Sequence, residues 1–277
     1  MDAGDFADKI AVVTGAGSGI GRSSAMLFAK LGAKVHVADL NADSAERVVG
    51  EIEARGGAAR AHTVDVTDPA AVDELAARVF AEDGRVDVLH SNAGIGHAAN
   101  IEQTTVEDWQ RVIGVNLLGV AYVAQAFIPR LLEQGGRSSI VNTASMAGLV
   151  AAPQMAPYCA SKFGVVGLSE SLNAELRPQG IDVCAVCPGI IDTPITRSAI
   201  MRGEPAERRE QAIAFYRKRG ASPDQVAEAV VQAVRKRKLV QPVPASHVMP
   251  PWLLKRLWPR ASQVVARALP KLVMRGK

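Results

Sequence analysis

Short apolar runs alternate with helix-period segments along almost the whole chain, and this alternation restricts the fold more than any other property. The runs Ile10–Thr14, Lys34–Ala38, Ala59–Asp65, Val86–Ser91, Ser139–Ala144 and Ile181–Val186 are five to seven residues long, and Leu239–Val243 is a candidate last strand. Between them lie helical patterns at Gly21–Leu31, Ala42–Arg55, Pro69–Asp83, Glu107–Leu132, Tyr158–Leu176 and Asp224–Lys236. Glycines at 32, 56, 57, 84 and 180 close several of them. Strands of this length alternating with helices predict an α/β fold, a doubly wound parallel sheet with helices on both faces. A chain of 277 residues can bury the core such a sheet needs. No linker, repeat or low-complexity stretch divides Asp8–Ala233. We therefore expect one domain over residues 1–244 and an extension over 245–277.

Parallel sheets of this kind take ligands outside the carboxyl ends of their strands. The segment after the first strand is Gly15-x-x-x-Gly19-x-Gly21, with Ser18 and Ile20 inside it. Glycine lets the backbone turn tightly and approach a pyrophosphate, and the following helix aims free N–H groups at it. A tight turn alone would also use glycines, so the partner residue matters. Asp39 ends the second strand, 24 residues after Gly15. A carboxylate there accepts hydrogen bonds from the adenosine ribose hydroxyls of NAD and repels the 2′-phosphate of NADP. Neither Ser18 nor Leu40 and Asn41 brings a compensating positive charge, so NAD is the expected cofactor. Asp39 can also cap the next helix, though Asn41 suits that task equally well. Asp65-Val66 follows the third strand and can meet the adenine amino group, with Asp68 the stronger cap candidate. Asn92-Ala93-Gly94, after the fourth strand, is small enough for a flat ring to lie on.

A second set suits proton transfer. Tyr158 and Lys162 are four apart on one helix and share a face. A free tyrosine is a poor base at neutral pH, and a nearby ammonium lowers its pKa. Ser145, thirteen residues before the tyrosine, can hold a substrate oxygen beside it. Asn116, inside the long helical region, can position a water behind Lys162. Each residue alone has an ordinary structural reading; their joint order is what counts.

Thr14-Gly15-x-x-x-Gly19-Ile20-Gly21, Asn92-Ala93-Gly94, Asn116, Ser145, Tyr158-x-x-x-Lys162 and Pro188-Gly189 together resemble the short-chain dehydrogenase/reductase family. The resemblance runs from about Lys9 to Val243, with Ser91 standing where the family often has a second asparagine. It implies a Rossmann-like sheet of about seven strands and hydride transfer to and from a nicotinamide. It also implies roles: Tyr158 as general acid/base, Lys162 on the nicotinamide ribose, Ser145 orienting the substrate, Asn116 completing a relay. Pro188, Gly189, Ile191 and Thr193 are then expected against the nicotinamide, and a homotetramer or dimer is implied. Two alternatives stand beside this: an NADPH-dependent carbonyl reductase of the same fold, and a nucleotide-binding protein without turnover.

The family closes its substrate cleft with the stretch after Pro188-Gly189, here Thr193–Ala221, of helical composition. Ile95, Met146, Leu149, Val150, Met155 and Ile190 are the expected walls. They are mostly aliphatic and favour a hydrophobic secondary alcohol or ketone. No metal set is expected. Cys184-x-x-Cys187 lies in an apolar run and reads as buried strand thiols.

The last segment differs in charge. Arg235–Lys277 holds eleven Lys/Arg and no Asp/Glu, while the rest of the chain holds 21 Lys/Arg and 28 Asp/Glu. Trp252, Leu253, Leu257, Trp258, Val264 and Val265 recur near helical spacing among the basic residues, and Pro259 and Pro270 are expected to break any helix. Three readings stay open: an extension packed on the body or a neighbouring subunit, peripheral membrane contact through residues 245–277, or another acidic partner. Nucleic acid is not expected, since aromatics are few. The acidic start lacks the marks of a secretory leader, and no stretch is uninterruptedly apolar over 18 residues. The expected location is cytoplasmic, with possible contact at the inner membrane face.

Overall fold

The computed structural model describes residues 6–274, and the expectations for residues 1–5 and 275–277 fall outside that range. Its strands are β1 (Ile10–Thr14), β2 (Lys34–Asp39), β3 (Ala58–Thr63), β4 (Val88–Ser91), β5 (His97–Ala98), β6 (Ser138–Thr143), β7 (Ile181–Pro188), β8 (Ile200–Met201) and β9 (Val240–Val243). Seven of them form one sheet in the order β3-β2-β1-β4-β6-β7-β9, and every pairing in it is parallel. The two-residue strands β5 and β8 make a separate parallel pair.

Side-chain alternation in β1 shows why the sheet needs cover on both sides. Ala11 and Val13 join one core with Val35 and Val37, while Ile10 and Val12 join the other with Leu89 and Ile140. The first core is covered by α1 (Gly19–Lys30), α2 (Ala42–Glu53) and α10 (Pro223–Lys236), through Phe28, Ile52, Val226 and Val230. The second is covered by α3 (Pro69–Asp83), α5 (Gly119–Gln134) and α6 (Ala156–Leu176), through Leu75, Val79, Phe127, Leu131 and Leu176. Phe28 and Phe127 are fully buried, and each such side chain contributes about 1.5–3 kcal/mol of transfer free energy. Asn41 caps α2 by accepting from Ser44 N, and Asp68 caps α3 by accepting from Ala70 N.

The long helical region is not uniform. Helix α4 (Val106–Ile113) passes into a π-helical turn over Gly114–Leu118 before α5 begins. The run Val106–Gln134 is long and apolar enough to cross a membrane, but it lies against the sheet, with Val112, Val123, Phe127 and Leu131 buried.

After β7 the chain forms α7 (Ile195–Ser198), β8, α8 (Glu204–Glu207) and α9 (Arg209–Arg219). The C-terminal segment forms α11 (Ala245–Leu257) and α12 (Pro259–Met274). Pro259 opens α12 as expected of a breaker, whereas α12 continues through Pro270, and Pro250 and Pro251 lie inside α11. A proline removes one amide donor and kinks a helix, and neighbouring contacts can still hold the helix together. Those contacts exist for α11: Val248 is fully buried beside Val165 and Val166.

Histidines tie the sheet to α3. His36 Nδ1 lies 2.8 Å from His62 Nε2, and His36 Nε2 lies 2.7 Å from Asp83 Oδ2. His36, Glu82 and Asp83 are close enough to share a cation, but Lys34 Nζ already sits 2.7 Å from Asp83 Oδ1. Burial pulls the pKa of His62 from 6.5 to about 4 and that of fully buried His90 to about 3. Burial also lowers His36. The unfolded chain therefore binds protons at these rings below 6.5 that the folded chain refuses. Their contribution is complete above 6.5 and is lost as pH falls toward 4. Thermal unfolding followed from about pH 7.5 down to about pH 5 should show a falling Tm. A flat Tm across that window would count against neutral buried histidines.

Candidate active site

The carboxyl ends of β1, β4 and β6 meet at one asparagine. Asn92 Nδ2 donates to Thr14 O (3.1 Å) and Gly15 O (3.2 Å), and its Oδ1 accepts from Thr143 Oγ1 (3.2 Å). Thr14 Oγ1 accepts in turn from Asn92 N and Ala93 N at 3.0 and 3.2 Å. His90 Nε2 lies 2.9 Å from Thr143 Oγ1 and completes the group. The floor of the cleft is thus a fixed network of short-range bonds between neighbouring strands.

On that floor sits the glycine turn. A Cβ at Gly21 would lie 2.2 Å from Gly15 O, and Gly15 itself has φ +61°. Gly17 N donates to Asp39 Oδ2 at 2.8 Å, and Asn41 N donates to Oδ1 at 2.9 Å. The carboxylate is therefore aimed by two backbone amides at the end of β2. Gly17 was not singled out in the sequence, although a glycine at every second position of Gly15-Ala16-Gly17-Ser18-Gly19 is a legible signal. Arg47, also unforeseen, donates to Gly17 O at 2.8 Å and to Glu51 at 3.0 Å, so its charge is paired beside the turn.

A cleft of about 1030 Å³ runs from this turn to the second set of residues. Gly15, Ser18, Gly19, Ile20, Asp39 and exposed Leu40 border one end, followed by Asp65, Val66, Asn92, Ala93 and Gly94. Asp65 also accepts from Thr67 N (2.9 Å) in a local turn. Ser145, Tyr158, Lys162, Pro188, Gly189, Ile191 and Thr193 border the other end. Gly21 and Asn116 stand behind the walls. Thr193 reaches across to the glycine turn, since a Cβ on Gly19 would lie 3.5 Å from it. The Ile191 side chain is buried in the core with Val226 and Val230.

The second set is built on α6 and the end of β6. Lys162 is buried, donates from Nζ to Thr143 O at 2.7 Å, and lies 5.8 Å from the centroid of the Tyr158 ring. Burial draws the lysine pKa from 10.5 to about 8. Burial pushes Tyr158 up to about 12, opposed by a hydrogen bond with Ser145 and reinforced by facing Tyr216. Ser145 Oγ also accepts from Ala147 N at 3.1 Å, which fixes the hydroxyl at the start of a short turn. Asn116, in the π turn, accepts from Ile95 N (2.8 Å) and donates to Ile95 O (2.9 Å) and Ser161 Oγ (3.3 Å). A Cβ on Gly94 would sit 3.2 Å from Asn116 Oδ1 and 3.6 Å from Lys162 Nζ. The three residues therefore meet, with the Asn116 amide committed to the Ile95 backbone. Cys184 and Cys187 are buried free thiols, both pushed up to about 12 by burial.

Ile95, Met146, Val150, Met155 and Ile190 line the cleft, but Leu149 does not. Leu149 faces the core beside Val165, Val166 and Val248, where the turn after Ser145 directs it. The segment over the cleft adds Ile195, Ala199, Met201, Ala212 and Tyr216. It is latched at two levels. Ile200 N donates to Gly96 O (3.0 Å) and Arg202 N to Ala98 O (3.1 Å). The Arg202 guanidinium grips Asp108 with bonds of 2.6 and 2.8 Å. Asp108 is buried, and the Arg202 bonds hold its carboxyl well below the usual range. Buried His97, also on the cleft wall, has Nε2 3.8 Å from that carboxylate. Residues 94 apart in sequence form the Asp108–Arg202 pair, so periodicity could not reveal it.

The chain is similar in sequence and fold to known proteins. The family model for short chain dehydrogenases matches residues 9–202. The probable oxidoreductase EphD of Mycobacterium bovis is 38% identical over 271 residues, covering 95% of this chain and 45% of its own. The chain thus spans under half the length of that relative. The D-threitol dehydrogenase of Mycolicibacterium smegmatis is 40% identical over 225 residues, covering 80% of this chain and 84% of its own. Among solved structures, a short-chain dehydrogenase/reductase from Burkholderia phymatum in complex with NAD superposes with a TM-score of 0.86 at 31% identity, covering 93% of this chain and 95% of its own. The chain belongs to the short-chain dehydrogenase/reductase family.

Two substitutions probe the two ends of the cleft. Gly21→Ala places a methyl on Gly15 O and should abolish nucleotide binding in a fluorescence titration. Arg202→Ala should raise KM several-fold with a smaller effect on kcat, because it frees the cover without touching Tyr158. Unchanged KM would remove the latch interpretation.

Proposed function

We propose that the protein is an NAD-dependent oxidoreductase for a hydrophobic secondary alcohol or its ketone. The observation that carries the cofactor choice is Asp39, oriented at the end of β2 by Gly17 N and Asn41 N. A carboxylate held this way suits two ribose hydroxyls and repels a phosphate. The glycine turn, which leaves no room for a Cβ at Gly21, suits a pyrophosphate. The NADPH alternative would need a free cation at this point, and Arg47 is paired with Glu51. Bound in this cleft, NAD⁺ would supply the hydride acceptor and a positive charge.

As phenolate, Tyr158 takes the hydroxyl proton of the alcohol in oxidation, and as phenol it gives a proton to the carbonyl oxygen in reduction. Ser145 holds the substrate oxygen against the phenol. In the protein alone, burial keeps Tyr158 protonated, so a cation must favour its phenolate. Lys162 contributes by placing an ammonium nearby with a pKa of about 8, close enough to neutrality to lose and regain a proton. Asn116 supports the relay from behind by fixing Ile95 and the widened helical turn. The aliphatic walls argue for an apolar substrate, although the threitol dehydrogenase relative is named for a polyol.

The test is NADH formation with a panel of secondary alcohols that includes cyclic alcohols and D-threitol. Tyr158→Phe should lower kcat by about 10²- to 10⁴-fold while nucleotide binding persists. Faster turnover with NADP⁺ than with NAD⁺ would overturn the cofactor choice, and activity confined to small polyols would overturn the substrate class. The pH dependence has a definite sign: alcohol oxidation should rise with pH, because the working form of Tyr158 is deprotonated. Lys162→Met should move that rise to higher pH, read from kcat/KM profiles. An unmoved profile would deny Lys162 its part.

A further inference from the structure

The α11–α12 hairpin has one face on the body and another that has no counterpart there. Lys255 Nζ donates to Leu149 O at 2.7 Å and lies 4.1 Å from the centroid of the Phe163 ring. His247 packs against Gly189, where a Cβ would meet it at 2.7 Å. Ser262 and Ala266 are buried, and α12 touches α9 of the cleft cover. The hairpin is therefore fixed in orientation beside the catalytic cleft.

Large apolar side chains are exposed on both helices. Leu257 and Trp258 are each 64% exposed, Val264 is 66%, and Leu253 and Val265 are 47% and 45%. Exposed Arg256, Arg260 and Arg267 stand among them, and no acidic residue occurs from Arg235 to Lys277. Helix α9, which α12 touches, ends in exposed Arg217, Lys218 and Arg219, while Ala212 and Tyr216 of the same helix line the cleft. Exposed apolar side chains, a tryptophan and arginines on the adjoining helices α11 and α12 match the chemistry of an interface helix on anionic lipid. A symmetric contact with a second copy would bring this face onto itself and oppose its own cations.

We infer that the α11–α12 hairpin and the basic end of α9 dock the protein on an anionic membrane surface, with the cover of the cleft turned toward the lipid. Leu257, Trp258 and Val264 enter the headgroup–acyl boundary, and the arginines engage lipid phosphates. The orientation suits apolar substrates that partition into the bilayer. The docking does not rest on the proposed reaction: lipid binding without alcohol turnover would defeat that reading alone.

The experiment uses the full chain with vesicles of phosphatidylcholine, with or without phosphatidylglycerol, separated by sedimentation. The comparison is the double variant Leu257→Glu/Trp258→Glu. Both side chains point away from the body, and an unchanged Tm and NAD titration would certify its fold. The unmodified chain should pellet with the anionic vesicles, release at high salt, and bind about tenfold better than the variant. Failure to pellet with anionic vesicles, or equal binding by the variant, would overturn the docking. Sedimentation velocity gives a third arm. If the unmodified chain ignores vesicles and forms a larger oligomer than the variant, the face is a subunit contact and the inference falls.

Discussion

A buried ammonium organises this molecule. Lys162 sits between α6 and the end of β6, almost out of reach of water, with Thr143 O as its hydrogen-bond acceptor. Removing a cation from water is costly, so the surrounding chain must approach closely and supply oriented dipoles. The glycines around it make that approach possible. Gly94 leaves space beside Nζ, and a Cβ at Gly148 would strike Lys162 O at 2.4 Å. The close packing that depresses the lysine pKa therefore also fixes how α6 lies on the sheet, and with it the position of Tyr158.

The rest of the site follows from where strands end. Thr14, Ser91 and Thr143 close adjacent strands, and Asn92 bonds to the two threonine positions on either side. Small polar residues are needed there because apolar ones could not satisfy the backbone groups released as the ladder stops. Asp39 completes the row one strand further out. A carboxylate at that point is stabilised by amides of its own turn, Gly17 and Asn41, with Arg47 paired close by.

Much of this was legible in the chain, for physical reasons that also mark the limit. The runs located all seven strands of the main sheet, and those of the inner strands are strongly apolar because both sheet faces are buried there. Tyr158 and Lys162 were visible as a pair because one helical turn brings them together. Features that depend on distant partners were not. The π turn around Asn116 is held by Ile95, 21 positions away, and no local propensity encodes it. Leu149 looked like a cleft wall by its neighbourhood, yet Val165, Val166 and Val248 claim it for the core. Pro259 divides α11 from α12 as expected, while α12 runs through Pro270, and two further prolines, Pro250 and Pro251, lie inside α11. Anchors on the body, Val248 and Lys255, hold α11 through the latter two. The cover was seen only as helical composition, while its short strand, its arginine latch and buried His97 appeared with the fold.

The two sides of the cleft are fastened differently. One side is bolted together by Asn92, Thr14 and Thr143 across three strands of the main sheet. The other is a separate strap, fastened through β5–β8 and Arg202, that can be rewritten without disturbing a single strand of the main sheet. Such a jaw, with a fixed lower half and a separately fastened upper half, lets substitutions in the strap reshape one wall of the cleft while Asn92, Thr14 and Thr143 stay in place.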